Sequence, residues 1–341
     1  MQPQISIIIA VKNGEKTIRK CLNSVFALDY QNFEVIIVND GSTDGTKEVI
    51  SSFKIRKYGN KEASLTVIDI PGLGPAEARN IGVKQAKGEY IALTDADCIV
   101  DARWLNELLK GFKIEHNQPW VPVQGAGIAG VGGAQLIPDD ESKFGKTIGG
   151  FMKVIGFVTD YIKPKYADNL KNYMKKTDHN PTCNVMYKKE IFDKVGGFLS
   201  GMWPGEDVEF DYRVRKAGFA LLYNPGAVVY HYRADNLEKF KKMMLSYGRV
   251  QGELVKKYGF FRKIQYVPLI LVFALLIELL IAFLSIKIGI VFILSAVILT
   301  SMYFFARSRN LIIAYKYTVL MFWTVLLWNY GFLKGLGKPN V

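Results

Sequence analysis

Three long apolar runs close this sequence, and they constrain the rest of it more than any other feature. Residues 264–286 are apolar except for Gln265 and Glu278. A helix needs about 20 such residues, at about 1.5 Å each, to cross the hydrocarbon core of a bilayer. A second run covers residues 288–306, and a third, with Lys316 near its start, covers residues 311–333. The junction at 285–289 is too short for anything but a tight hairpin. From residue 264 onward the chain holds one acidic residue, Glu278, against six basic ones; the first 263 residues hold 30 acidic and 38 basic ones. A polar, mixed-charge body followed by an apolar tail excludes a wholly soluble enzyme, a disordered chain and a simple DNA-binding domain.

The basic residues suggest a topology. Lys256, Lys257, Arg262 and Lys263 precede the first run, and Arg307 and Arg309 separate the second from the third. The positive-inside rule puts both groups in the cytoplasm, so the first run exits, the second returns and the third exits again. Lys334 and Lys338 then fall outside, which leaves a partly interfacial third helix as the alternative. Trp323, Trp328 and Tyr330 mark an interface belt. Glu278 reads as a protonated carboxyl hydrogen-bonded between helices. Two stripes in the body have helical spacing and basic flanks. One runs through Leu237, Phe240, Met244, Tyr247, Gln251, Leu254 and Tyr258, the other through Phe144, Ile148, Phe151, Ile155, Val158 and Ile162. The first is expected in the headgroup layer, because it leads into the first run. For the second, headgroups and protein core are equal alternatives.

The net charge is +13. Beside a membrane tail, that charge points to lipid headgroups and phosphorylated substrates and not to nucleic acid. Cys21, Cys98 and Cys183 are odd in number and form no C-x-x-C pair. Neither a disulfide framework nor a zinc site is expected, which suits a reducing cytoplasm. The apolar stretch at residues 5–11 is short and has no basic residue before it, so it reads as a buried first strand and not as a signal peptide.

The body begins as an alternating pattern. Strands are expected at residues 5–11, 33–39, 64–70 and 89–94, with helices at 15–26, 44–53, 75–86 and 102–112. Apolar strands alternating with amphipathic helices give an α/β fold with a mostly parallel sheet covered on both faces. Ligands bind such sheets at the carboxyl ends of the strands, where Asp40, Asp95 and Asp97 fall. Two decoys are set aside. Gly125-Ala-Gly127-Ile-Ala-Gly130 fits G-x-G-x-x-G but leads into no helix, and Gly14-Glu-Lys16-Thr17 lacks the upstream glycine of a P-loop. Asp95-Ala-Asp97 follows a buried strand. Carboxylates there can hold a hard divalent cation, which in turn bridges a diphosphate; the plain alternative is a pair of helix N-cap residues.

Six stretches then carry a resemblance. They are S-I-I-I-A-V-K-N-G-E-K-T-I (6–18), V-I-I-V-N-D-G-S-T-D-G-T (35–46), A-R-N-I-G-V-K-Q-A-K-G-E-Y-I (78–91), L-T-D-A-D (93–97), N-V-M-Y-K-K-E-I-F-D-K-V-G-G-F (184–198) and G-E-D-V-E-F (205–210). In this order they resemble the family 2 glycosyltransferases. The resemblance implies a GT-A fold, a Rossmann-like α/β domain with a mostly parallel central sheet, at residues 1–235. An amphipathic interfacial linker at 236–263 and transmembrane helices at 264–341 follow. It also implies an inverting enzyme that uses a nucleotide-sugar donor and a divalent cation, Mn²⁺ or Mg²⁺. Ala10 and Val11 are implied to line the nucleotide pocket through their backbone, Asp40 to bond the base, Arg79 to face the ribose or diphosphate, and Asp95 to contact ribose and sugar. Asp97 is implied to bind the metal. Asn39 stands where the family often has a first acid. In Gly205-Glu206-Asp207 the second acid is implied to be the catalytic base, with Glu206 as a contact. His231 follows an apolar strand; the resemblance implies a second metal ligand, and a strand-end cap is an equal alternative.

The chemistry gives these positions a reason. A nucleotide diphosphate leaves with growing negative charge, which a metal and an arginine neutralise. A hydroxyl acceptor is a poor nucleophile, and a carboxylate opposite the leaving group can take its proton. Processive relatives carry Q-x-x-R-W after the acidic motif; the comparable helix here reads Ser246-Tyr-Gly-Arg249-Val-Gln-Gly, which implies transfer of a single sugar. The tail implies a lipid-linked acceptor at the cytoplasmic face. A glycolipid or lipid-linked sugar hydroxyl ranks first and a polyprenyl phosphate second, with GDP-mannose or a UDP-hexose as donor. A nucleotidyltransferase would need a richer loop than Lys12-Asn13-Gly14. A non-catalytic nucleotide-binding scaffold would have no use for Asp40, Asp95, Asp97 and Asp207 together.

Overall fold

The computed structural model describes residues 2–53, 64–113, 127–156 and 174–338. The chain divides into two compact units, Met1–Asp140 with Asp160–Tyr232 and Glu141–Thr159 with Arg233–Val341.

The first unit starts with β1 (Ile5–Val11), α1 (Ile18–Phe26), β2 (Phe33–Asp40), α2 (Thr46–Ser51), β3 (Ser64–Ile70), α3 (Pro75–Gln85), β4 (Tyr90–Asp95), β5 (Cys98–Val100), α4 (Trp104–Phe112) and β6 (Ile128–Leu136). After α5 (Lys143–Val154), which belongs to the second unit, come β7 (Lys175–Thr177), β8 (Val185–Lys188), α6 (Glu190–Val195), α7 (Glu206–Lys216) and β9 (Ala220–His231). Among the described residues these strands form one sheet in the order β3-β2-β1-β4-β8-β6-β9-β5, with β7 on β9. The four N-terminal strands are parallel, as expected. Beyond them β8 runs antiparallel to both β4 and β6, and β6 and β9 are parallel. One face is covered by α1 and α4 through Leu22, Trp104 and Leu108, the other by α3 and α7 through Ala78, Val83 and Phe210.

Local differences from the expected boundaries have physical causes. α1 begins at Ile18 because the polar groups before it take tertiary partners. Asn13 N–H donates to Ser42 Oγ at 2.9 Å, Gly14 N–H to Thr46 Oγ1 at 2.8 Å, and Thr43 N–H to Asn13 Oδ1 at 2.8 Å. The loop after β1 is thereby stitched to the loop after β2. β2 and β4 each extend one residue further, to Asp40 and Asp95, because the parallel ladder continues to Asp40↔Ile70 and Ala10↔Asp95. The decoy Gly127 and Gly130 lie at the start of β6, with Gly125 outside the described residues. Small residues are needed on this strand: a Cβ at Gly130 would meet the Tyr187 ring at 2.6 Å, and one at Gly132 would meet Asn180 Oδ1 at 2.3 Å.

The second unit joins α5 to α8 (Leu237–Tyr258), α9 (Val267–Leu284), α10 (Ile286–Ser308) and α11 (Leu311–Gly337). Three segments, Lys263–Ile281, Ile286–Ser308 and Leu311–Gly337, are long and apolar enough to cross a membrane, and Ser285 alone separates α9 from α10. Most large apolar side chains of α9 and α10 are exposed, as lipid-facing residues would be. The stripe of α8 is not left for headgroups: Phe240 and Met244 are buried with Ala314, Tyr317 and Leu320 of α11 and with Phe304 of α10. The stripe of α5 has its inner part, Ile148, Phe151 and Met152, in the same cluster, while Val158 and Ile162 lie outside the described residues. α8 and α11 meet backbone to backbone through two G-x-x-x-G pairs. An ideal Cβ on Gly248 would sit 2.0 Å from Trp328 O, and one on Gly335 would sit 2.0 Å from Arg249 O. Only glycine permits this approach. Gln251 and Gln265, which interrupt otherwise apolar patterns, pair with each other at 3.1 Å. Glu278 lies in α9 with its Oε1 buried and without a hydrogen-bond partner among the described residues, so the expected interhelical bond is not made there.

Candidate active site

The register of the sheet gathers the expected residues at its carboxyl edge. Val11 pairs with Asn39 and Ala10 with Asp95, so the ends of β1, β2 and β4 lie side by side. The Val11 side chain is buried in the core, leaving its backbone at the edge. Asp40 is also buried, and its oxygens accept from Leu73 N–H at 2.6 Å and Gly74 N–H at 3.0 Å. It therefore fastens the turn that leads into α3. Asn39 donates to Asp69 Oδ1 at 2.7 Å, across the ends of β2 and β3.

β5 brings the candidate metal-ligating side chains together. It runs antiparallel to the end of β9 with Cys98 opposite His231, and Tyr232 N–H donates to Asp97 O at 3.1 Å. The imidazole of His231 thus lands beside the D-x-D: its Nε2 is 3.4 Å from Asp97 Oδ1. Its Nδ1 is 3.3 Å from Gln135 Oε1, an acceptor that keeps the hydrogen on Nδ1 and the lone pair on Nε2. Asp95, Asp97 and His231 each offer a ligand atom, all within 4.8 Å of one another. Two carboxylates and one imidazole suit a cation such as Mn²⁺ or Mg²⁺. Cys98 and Cys183 form a second such group with the same histidine.

Arg79 lies across the middle of the site. Its Nη2 donates to Asp95 Oδ1 at 2.8 Å, and its Nη1 donates to Glu206 Oε1. Burial opposes the charge on Arg79, yet Asp95 and Glu206 hold its pKa above the ordinary value. Burial pushes Glu206 above the usual carboxylate range, against the pull of Arg79. Arg79 is therefore engaged with both Glu206 and Asp95. The next acid differs: the Asp207 side chain is 18% exposed, compared with 4% for Glu206. Both stand at the start of α7, after Gly205 at φ 131°, a backbone angle that favours glycine. The N-terminal dipole of α7 favours their negative charge. Phe210 anchors the helix, its ring centroid 4.8–5.1 Å from those of Phe198, Phe192 and Tyr187.

Two polar residues of this site carry no motif in the sequence. His179, just after β7, lies between Asp207 and Asp211, and Asp211 is wholly buried. The available signal was the acid four residues beyond Asp207, on the same face of α7.

A mostly parallel α/β sheet whose carboxyl edge gathers a D-x-D, a histidine and an acidic helix start defines a glycosyltransferase of the GT-A type. The profile of glycosyl transferase family 2 matches residues 6–196, and the chain belongs to that family. It is 29% identical over 98% of both chains to a Methanococcus voltae protein named dolichyl N-acetyl-alpha-D-glucosaminyl phosphate 3-beta-D-2,3-diacetamido-2,3-dideoxy-beta-D-glucuronosyltransferase. It is 27% identical to the glycosyltransferase AglE of Haloferax volcanii, over 83% of this chain and 82% of that one. The mannosyltransferase PcManGT of Pyrobaculum calidifontis, solved with GDP-mannose and Mn²⁺, shares the fold. Its TM-score is 0.56 at 16% identity, covering 100% of this chain and 89% of that one.

Proposed function

We propose that this glycosyltransferase is membrane-anchored and inverting. It moves one sugar from a nucleotide-diphosphate sugar to a hydroxyl of a lipid-linked sugar at the cytoplasmic face. The observation that carries the hydroxyl acceptor is Asp207, a partly exposed carboxylate at the head of α7. A polyprenyl phosphate brings its own oxyanion and gives such a base nothing to do, whereas a sugar hydroxyl must lose its proton during attack. The name of the Methanococcus relative, with a dolichyl N-acetylglucosaminyl phosphate as acceptor, supports the same class.

Asp207 takes the hydroxyl proton as the acceptor oxygen attacks the anomeric carbon. The bond from that carbon to the diphosphate breaks on the opposite face, its electron pair leaves with the nucleotide, and the configuration inverts. Asp95, Asp97 and His231 would hold a divalent cation, which when bound neutralises charge gathering on the diphosphate. The imidazole favours Mn²⁺, the ion found with GDP-mannose in the Pyrobaculum neighbour. Arg79 keeps Asp95 and Glu206 in place. Asp40 shapes the base pocket through the turn it fastens, and Ala10 and Val11 offer it their backbone. Lys256, Lys257, Arg262 and Lys263 before α9, with Arg307 in the last turn of α10 and Arg309 just after it, support the cytoplasmic side.

The test is transfer by the detergent-purified full chain with Mn²⁺, using GDP-mannose or UDP-hexoses. The acceptors are polyprenyl N-acetylglucosaminyl phosphate and bare polyprenyl phosphate. Transfer to the sugar-bearing lipid alone, lost in Asp207→Asn, is expected. Transfer to the bare phosphate, or a full rate in Asp207→Asn, would overturn the hydroxyl acceptor.

A further inference from the structure

His179 has no part in the reaction as described, yet it stands directly behind the base. Its Nδ1 is 3.0 Å from Asp211 Oδ2, and its Nε2 is 3.8 Å from Asp207 Oδ2. Asp207 and Asp211 are one helical turn apart and share a face of α7. Asp211 Oδ2 also accepts from Asn180 N–H at 2.7 Å, and Oδ1 accepts from the Tyr187 hydroxyl at 2.6 Å. Burial pushes the Asp211 carboxyl up, and His179, Tyr187 and Asn180 oppose that shift. Among the described residues, the groups that bond Asp211 are donors, as a buried carboxylate requires. The small residues of β6 make room for this arrangement, since side chains at Gly130 and Gly132 would collide with Tyr187 and Asn180.

An aspartate at Nδ1 fixes the tautomer of the ring. Nδ1 carries the hydrogen and donates it to Asp211, so the lone pair of Nε2 faces Asp207. Thr177 Oγ1 donates to the His179 carbonyl at 3.0 Å and holds the segment from the side of β7. Among the described residues, the charged and titratable groups around the ring are Asp207 and Asp211 on α7, with Tyr187 of β8 behind Asp211. Glu206 and Arg79 also interact electrostatically with Asp207.

We propose that His179, held by Asp211, is the positioning residue of the Asp207 base and receives the proton that Asp207 takes from the acceptor hydroxyl. This rests on the reading of Asp207 as the base. The proton passes from the acceptor oxygen to Asp207 and from Asp207 to Nε2. The imidazolium then stands between two carboxylates and releases the proton to solvent, to which its side chain is 15% exposed. No electrons move other than the pair that departs on the nucleotide diphosphate. Asp207 is thereby returned to its ionised form with each turnover.

The experiment measures kcat and KM against pH for the full chain in detergent. The variants are His179→Gln, His179→Ala, Asp211→Asn, the His179→Gln/Asp211→Asn double variant and Asp207→Asn. His179→Gln is expected to lower kcat about 100-fold, with donor KM and Mn²⁺-dependent nucleotide binding unchanged. The acid limb of its rate profile is expected to shift. The double variant is expected to be no slower than the slower single variant, and added imidazole is expected to restore rate to His179→Ala. Should Asp211→Asn fail to fold, His179→Gln and imidazole rescue decide alone. A His179→Gln enzyme with unchanged kcat and pH profile, beside an inactive Asp207→Asn, overturns the role of His179 and leaves the base intact. Loss of nucleotide binding in His179→Gln would assign the residue to structure and overturn the proposal too. Full activity in Asp207→Asn overturns both readings.

Discussion

Arg79 and Glu206 form an ion pair in which both side chains are almost closed to water, at 6% and 4% exposure. The pair ties α3 to α7, elements more than 100 residues apart, at the centre of the proposed site. Replacing one partner of such a pair strands the other charge, at a cost of about 3–5 kcal/mol. Arg79→Met is therefore expected to lower the thermal midpoint of the detergent-solubilised chain by several degrees. Arg79→Met with Glu206→Met is expected to recover most of the loss. An Arg79→Met chain as stable as the parent would show that water reaches Glu206.

The proposed cation site is expected to depend on a residue outside the candidate ligands. Gln135 is buried and faces Nδ1 of His231. Outer partners of metal-binding histidines typically contribute about 10–100-fold in affinity. Gln135→Leu is expected to weaken Mn²⁺ binding by that factor, measured by calorimetry with nucleotide present. Asp97→Ala is expected to make nucleotide binding indifferent to EDTA. Equal Mn²⁺ affinity in parent and Gln135→Leu would remove Gln135 from the site.

Asp40 is expected to act through the turn that it fastens. Asp40→Ala leaves the N–H groups of Leu73 and Gly74 without their acceptor, at a cost of about 1–3 kcal/mol. Nucleotide affinity should fall along with stability. Asp40→Asn keeps one acceptor oxygen and should lie between the two. If Asp40→Ala weakened nucleotide binding while leaving the unfolding midpoint unmoved, its role would be contact with the base alone.

The glycine seam of the second unit should tolerate no side chain. Gly248→Leu or Gly335→Leu would drive a Cβ into the facing backbone at 2.0 Å, so proteolytic resistance of α8 and α11 is expected to collapse. Gly337→Ala meets nothing within 4 Å and is the matched control. Intact resistance in both seam variants would mean that the two helices can separate without consequence.

β1, β2 and β4 were legible because buried parallel strands are written as near-continuous apolar runs, such as I-S-I-I-I-A-V in β1, and β3 from the apolar-polar alternation of an edge strand. Asp40, Asp95 and Asp97 were legible from their place after such strands. The partners of those residues were not. Asp40 turns inward to backbone N–H groups 33 and 34 residues away, a contact that no local pattern records. His179 and Asp211 meet only because the segment after β7 settles against α7. Periodicity showed that α5 and α8 each had an apolar face, but a stripe does not say what covers it. Gln251 and Gln265 looked like flaws in two separate apolar patterns, and each is the other's partner.

The placement of α5 has a practical consequence. Its sequence lies inside the polar body, yet Ile148, Phe151 and Met152 are buried against residues that follow position 235. No single cut separates a soluble enzyme from its anchor. A chain ended at residue 235 would keep α5 and lose the helices that cover it, leaving an oily face to drive aggregation.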